Sequence, residues 1–500
     1  MASRLNLNRP FHNWKFTVLI ASTALMALTP SVFARPTNNS DLFSFSITDQ
    51  VTHWETPDGV IRVHYSSEGP NQTRMQDTND DGVPDFVEKV AEIAQESLTI
   101  FNSLNFYRPL REYDFAVADD GGSDAIDFYL VDFAGNADGN FSIDTCDNDN
   151  RCTGYMVIEN DFAGYNYSSY LEGLRTVIPH ELFHFIQAAY NSQLPIWVSE
   201  GTAVWGQRRY DPDSRDFRGF ANYYLSDTDR PLNKPPAGPV PAFAYGTGIW
   251  WEFLSLRHDT NLINELLLAW EGLTADADFV IAMVEQLENR NDTMEAAWLD
   301  FSSYNLGTGT RAGPLESYPD AALFAGIQPA QQSSLNTVET SNRFYPMTTS
   351  YYLVEHTGGP LYWAMAKESA NLRLSYFQAI SAVGEVQLSL DQWASDMTQP
   401  YALQNGEPLP AGSYWLAVMN PTTSGNSVYT DICLGPLSVA ESCIAEDETQ
   451  DPGASGEPSG EDEDNSSGCQ QATHPSLWLL LIGLFFWNRT SRKSRTQQTH

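Results

Sequence analysis

The sequence predicts an α+β chain, a mixed sheet with an edge strand and a set of helices, followed by an all-β sandwich. Three observations predict it. Short apolar or alternating runs between residues 60 and 160 have the length and texture of strands. Between residues 177 and 304 apolar residues recur at helical spacing, with Pro and capping signals at segment starts. From Arg343 to Leu434 the chain turns to short alternating runs broken by Gly and Pro, as antiparallel strands require.

Five hundred residues exceed one domain on the usual prior. Residues 1–34 have the layout of a secretory signal. Arg4, Arg9 and Lys15 form the positive start, Phe16 to Leu28 the apolar stretch, and Val32-Phe33-Ala34 a small-residue cleavage end. A membrane anchor needs roughly 20 apolar residues, more than this run supplies. The chain carries 27 Lys and Arg against 64 Asp and Glu, a net charge of −37. Such a surface argues against nucleic acid as a partner and favours solubility and calcium binding. Export suits the cysteines: Cys146 and Cys152 bracket one short loop, Cys433 and Cys443 another, and each pair is placed for a local disulfide.

Residues 35–305 form the expected mixed α/β unit. Val60 to Tyr65 alternates and reads as an edge strand. The next stretch, residues 77–88, places acids or amides at positions 1, 3, 5, 9 and 12 of an EF-hand-type loop, with Gly82 at position 6. Asp77, Asn79, Asp81, Asp85, Glu88 and the Val83 carbonyl make a calcium cage of the right count. The plainer reading is an Asp-rich turn capping the helix that follows, Phe86 to Leu104. Phe115–Ala118, Ala125–Phe133 and Gly154–Asn160 read as strands, with Tyr155 to Asn160 the expected edge of a substrate cleft. Between them, residues 132–151 hold Asp138, Asp144, Asp147 and Asp149; a solvated loop pinned by Cys146–Cys152 is preferred there over a second calcium site.

Val177–Gln187 contains His180-Glu181-Leu182-Phe183-His184. Residues four apart on a helix lie about 40° apart around its axis, so both imidazoles can grip one zinc ion. Glu181, beside the first, is placed to take a proton from a water that attacks a carbonyl. A catalytic zinc needs a third protein ligand. With fifteen residues between it and His184, Glu200 is the one acid among apolar residues on the helix opened by Pro195. A bare buried carboxylate is costly, and zinc relieves it. Two histidines on an apolar helix can also be satisfied core residues.

His180-Glu181-x-x-His184 followed by a helix bearing Glu200 resembles the gluzincin branch of the zincin metallopeptidases. The resemblance covers roughly Ile61 to Tyr304. It implies a zincin-like domain, His180, His184 and Glu200 as zinc ligands, Glu181 as general base, and a protein or peptide substrate. The spacing to the third ligand is shorter than in the thermolysin-like pattern. Val204 stands where an aspartate orienting the first histidine would be expected. The family also uses a Tyr or His to stabilise the oxyanion. Tyr245 is the candidate here, with Tyr190, Tyr210 and His258 as rivals and packing as its plainer role.

Asp211 to Pro241 reads as a loop or lid, and helices are expected at Tyr245–Leu256, Leu262–Trp270, Asp278–Glu288 and Thr293–Tyr304. Residues 306–342 read as a connector and 343–444 as the β-sandwich, which shows no catalytic constellation. Residues 445–468 are an acidic, aromatic-free linker. Residues 469–500 hold Gly468-Cys469 at their border, an apolar run from Leu477 to Trp487, and the basic end Arg489, Arg492, Lys493 and Arg495. That run spans roughly 16 Å, against about 30 Å of hydrocarbon. The order resembles the C-terminal sorting tails of Gram-negative bacteria. This implies an intramembrane sorting protease as a processing partner, membrane contact only through the tail, cleavage near Gly468-Cys469, and a secreted or outer-surface location. The rival to a zinc endopeptidase is a catalytically inactive, calcium-dependent surface or adhesion protein on the same fold. Glu181, which binds no metal but serves the chemistry, favours the enzyme.

Overall fold

The computed structural model describes residues 35–36 and 43–445, apart from 116, 118, 239–240, 274–275, 314, 334–337, 366–371, 380–385 and 390–399. The expected signal (1–34), the acidic linker and the tail with Gly468 and Cys469 lie outside the described residues. Among the described residues no helix is long and apolar enough to cross a membrane.

The first sheet contains β1 (Val51–Glu55), β2 (Ile61–Ser66), β3 (Ile126–Val131), β4 (Gly139–Cys146) and β5 (Cys152–Glu159), in the order β1-β2-β3-β5-β4. β2, β3 and β5 run parallel, while β1 and β4 pair antiparallel at the two edges. This corrects two readings. β2, expected at an edge, is interior and buried along its whole length. β5, expected to line the cleft, is also interior, and the edge is β4, inside the stretch read as a loop. The composition of β4, Gly-Asn-Phe-Ser-Ile-Asp-Thr-Cys, is that of a loop. Pairing with β5 and the Cys146–Cys152 disulfide across the register hold it as a strand.

Among the described residues, nine helices follow these strands or lie between them: α1 (Asp85–Ser103), α2 (Tyr170–Tyr190), α3 (Ile196–Tyr210), α4 (Arg215–Leu225), α5 (Ala242–Gly246), α6 (Gly248–Arg257), α7 (Asn261–Trp270), α8 (Asp276–Asn289) and α9 (Met294–Leu306). α4 falls within the expected lid. Phe115, expected in a strand, ends a 3₁₀ turn at Glu112–Phe115. The apolar faces of α1 and α2 cover the sheet through Val87, Ile93, Leu174, Ile178 and Leu182, all buried with Ile61, Val63, Phe128 and Met156. Burial of this kind is the main favourable term in folding.

The second half builds two sheets. One has β6 (Gln331–Ser333), β8 (Thr348–His356), β13 (Gly412–Asn420), β10 (Arg373–Ala379) and β11 (Val386–Ser389); the other has β7 (Val338–Phe344), β14 (Val428–Gly435), β9 (Tyr362–Met365) and β12 (Tyr401–Ala402). Tyr352, Leu374 and Leu416 from the first share one apolar cluster with Phe344, Trp363 and Ile432 from the second. α10 (Leu437–Ala445) closes the described chain. β6 lies within the stretch read as connector and β7 begins in it, and Leu315, Tyr318, Phe324 and Ile327 of that stretch are buried in the main core. The sheets also join that core. Trp298 Nε1 donates to Thr348 O at 3.2 Å, and Tyr351 Oη donates to Ser302 O at 2.7 Å. Cys433 is disulfide-bonded, while the side chain of Cys443 lies outside the described residues.

Candidate metal centre

α2 begins ten residues before His180, capped by Ser169, whose side chain accepts from Glu172 N. Pro179, immediately before His180, lacks the N–H that would bond the preceding turn. His180 and His184 follow one turn apart. α3 returns antiparallel beyond Asn191 and Pro195 and brings Glu200 between them. The His184 and His180 Nε2 atoms are 3.1 Å apart, and Glu200 Oε2 lies 3.4 and 3.5 Å from His180 and His184 Nε2. Glu200 Oε2 is shielded from solvent and accepts no hydrogen bond. Among the described residues this is the one group with three His, Cys, Asp or Glu ligand atoms all within 4.8 Å. Two imidazole nitrogens facing each other and an orphaned carboxylate oxygen form a donor set that fits zinc.

Gly201 permits this approach. A Cβ there would sit 2.3 Å from Thr247 Oγ1 and 2.5 Å from Trp251 Nε1, so only glycine lets α3 lie this close to α6. Thr247 Oγ1 also reaches Trp197 O at 2.6 Å, tying the α5–α6 junction to α3.

The electrostatics follow from this packing. Burial raises the Glu200 carboxyl, but His184 and His180 more than offset it and hold it well below the usual carboxylate range. Burial lowers His184, yet Glu200 and Glu181 carry it up to about 9. Glu181 is shifted up, first by burial, against the lowering pull of His180 and His184.

Gln187, which ends the motif stretch and has no role assigned from sequence, completes the site. Its Oε1 lies 2.9 Å from His184 Nδ1, while its Nε2 donates to Ser199 O at 2.8 Å and Thr202 Oγ1 at 2.7 Å. The available signal was its place three residues after His184, on the same helix face. Val204, where an orienting aspartate was looked for, is fully buried among apolar residues. Among the described residues no hydrogen bond reaches His180 Nδ1. The ring stacks instead on Tyr245, at 5.5 Å between centroids and 13° between planes. Tyr245 is itself stacked on Phe220 at 4.6 Å. Burial, then the charges of Glu200 and Glu181, push its hydroxyl well above 10. The three rivals are engaged elsewhere: Tyr190 with Asn264, Tyr210 with Glu96, and His258 with Asp292.

β4 borders the site. A Cβ on Gly139 would lie 2.3 Å from Val177 Cγ1 and 3.0 Å from Glu181 Cγ. Phe141 stacks on Phe185 of α2 at 4.9 Å. Just before the strand, Asp138 accepts from Tyr167 Oη. Burial raises Asp138, while Tyr167 and then His180 pull it down.

The 77–88 loop lies away from this centre and folds on itself. Gly82 N donates to Asp77 Oδ2, Asp81 N to Asn79 Oδ1, Val83 N to Asp81 Oδ1, and Thr78 N to Asp85 Oδ1, all at 2.9–3.1 Å. Gly82, with φ +91°, makes the turn. Asp77 Oδ1 is shielded and has no partner. Glu88 is raised by burial and then by Asp81, Asp85 and Asp77. Among the described residues, no three of these carboxylates converge as His180, His184 and Glu200 do.

No protein-family model matches the chain, and no curated protein is significantly similar to it.

Proposed function

We propose that the chain is an exported zinc-dependent endopeptidase with a zincin-like first region. The observation that carries this reading is the convergence of His180, His184 and Glu200 beside the buried carboxylate of Glu181. The three converging residues hold the metal. Zinc, when bound, supplies a Lewis acid that polarises a carbonyl and makes water acidic near neutral pH. Glu181 takes the proton of the attacking water and passes it to the leaving amine. Tyr245 stays protonated and donates to the developing oxyanion. The free edge of β4 offers backbone N–H and C=O groups to an extended peptide. The Cys146–Cys152 disulfide supports an oxidising compartment.

Calcium in the 77–88 loop is part of the same proposal. The crowding of Asp77, Asp81 and Asp85 on Glu88, and the unpartnered Asp77 Oδ1, are relieved by a cation. The test of the activity is zinc content together with casein cleavage. Wild type should hold about one zinc and cleave. Glu181→Gln should hold zinc without cleaving, and His184→Ala should lose both. Full activity in Glu181→Gln would overturn the reading.

A further inference from the structure

Away from the metal centre, Arg35 is completely buried beneath the first sheet. Its Nη2 bonds Glu112 and, at 2.8 Å, Asp144 Oδ2; its Nη1 bonds Asp127 and, at 3.1 Å, Tyr129 Oη. The guanidinium also lies 5.1 Å from the centre of the Tyr155 ring. Asp127 is shared with His64, whose Nε2 is 2.9 Å from Asp127 Oδ1. The partners come from separate elements: Glu112 from the 3₁₀ turn, Asp127 and Tyr129 from β3, and Asp144 from β4.

Asp144 owes its position to a local irregularity. The β4–β5 register shifts between Ile143 and Thr145, which leaves Asp144 without a cross-strand partner. A bulge of this kind re-aims a side chain, and the Asp144 carboxylate is only 4% exposed. Three buried carboxylates against one guanidinium carry excess negative charge. Burial first, and then Asp127 and Asp144, raise the Glu112 carboxyl to about 8 in spite of Arg35.

We propose that Glu112, Asp127, Asp144 and Tyr129 form an internal receptor for a guanidinium group, filled by Arg35, and that the seated arginine fixes the bulge and register of edge strand β4. A planar fork with five donors matches several carboxylates at once, which an ammonium cannot do. Losing the arginine leaves three buried carboxyl groups without their common donor, a large penalty that the fold relieves by releasing the one partner at a sheet edge, Asp144. β4 runs from Asp144 to Gly139, where an added Cβ would meet Glu181 Cγ at 3.0 Å, so the receptor also holds the wall of the candidate site. The proposal does not depend on zinc or on catalysis.

Hydrogen exchange on the full exported chain tests it. In Arg35→Ala, amides of residues 139–146 should exchange at least about tenfold faster, with those of β2 and β3 less affected. Low-millimolar methylguanidinium should restore the protection in Arg35→Ala and leave wild type unchanged. Arg35→Lys should be restored only in part without it. Should Arg35→Ala fail to fold, Asp144→Asn reads the same contact from the strand side and should also deprotect 139–146. Wild-type protection of β4 in Arg35→Ala, or in Asp144→Asn where the first variant does not fold, would overturn the proposal, as would methylguanidinium giving Arg35→Ala no recovery.

Discussion

The Gln187 carboxamide determines which nitrogen of His184 is free. Its Nε2 faces two acceptors, Ser199 O and Thr202 Oγ1, and the hydroxyl of Thr202 is already donated to Val198 O at 2.8 Å. The amide orientation is therefore fixed, and Oε1 faces His184 Nδ1. A carbonyl oxygen only accepts, so Nδ1 carries a proton towards Gln187 and Nε2 is the nitrogen left for a metal, which displaces any proton there. Gln187→Ala should weaken zinc binding roughly 10- to 100-fold while leaving the fold intact. Competition with a chromophoric chelator reads the affinity; unchanged affinity would show that the ring needs no such partner.

Gly139 sets how closely the edge strand approaches the proposed base. A methyl group there meets Val177 Cγ1 and Glu181 Cγ well inside contact distance. Gly139→Val should cost about 1–3 kcal/mol by overpacking. It should also displace Glu181, reducing casein cleavage with zinc content preserved. Wild-type turnover in this variant would mean that β4 can move aside without disturbing Glu181.

These residues show what local sequence can and cannot reveal. The i, i+4 histidines are legible because helix geometry alone brings them together. Glu200 is legible because a lone acid on an apolar helix demands a partner. The role of Gln187 depends on Ser199 and Thr202 from α3, a contact that no window along α2 contains. β4 was hidden because its polar, half-exposed residues carry little strand propensity, and its pairing comes from β5 and a disulfide. The interior place of β2 is likewise a matter of neighbours, set when β1 adds outside it. Nothing near Arg35 in sequence announces three carboxylates drawn from residues 112, 127 and 144.

The 77–88 loop yields a separable prediction. If calcium binds the native loop and not the unfolded one, calcium at about 100 times its dissociation constant should stabilise the folded chain by about 2.7 kcal/mol. Asp81→Ala should abolish this calcium-dependent rise in melting temperature with zinc content unchanged. An undiminished rise in Asp81→Ala would place the calcium elsewhere and leave the loop as a cap on α1.

Glu159 supplies a pH dependence independent of the metal centre. It ends β5, is 1% exposed, and accepts from Phe133 N and Tyr165 Oη, both at 2.9 Å. Burial outweighs these two bonds and raises its pKa from 4.5 to about 7. The folded state therefore favours the protonated acid more than the unfolded state does. The stability this contributes is fully present below about pH 4.5 and is lost as pH rises through about 7. Glu159→Gln keeps an oxygen for Phe133 N and Tyr165 Oη but cannot ionise. Relative to that variant, wild type should lose roughly 3 kcal/mol across this window, with no further loss above it. Urea unfolding of both proteins across the window reads the difference. A gap that stays constant with pH would show that Glu159 titrates as an ordinary carboxylate.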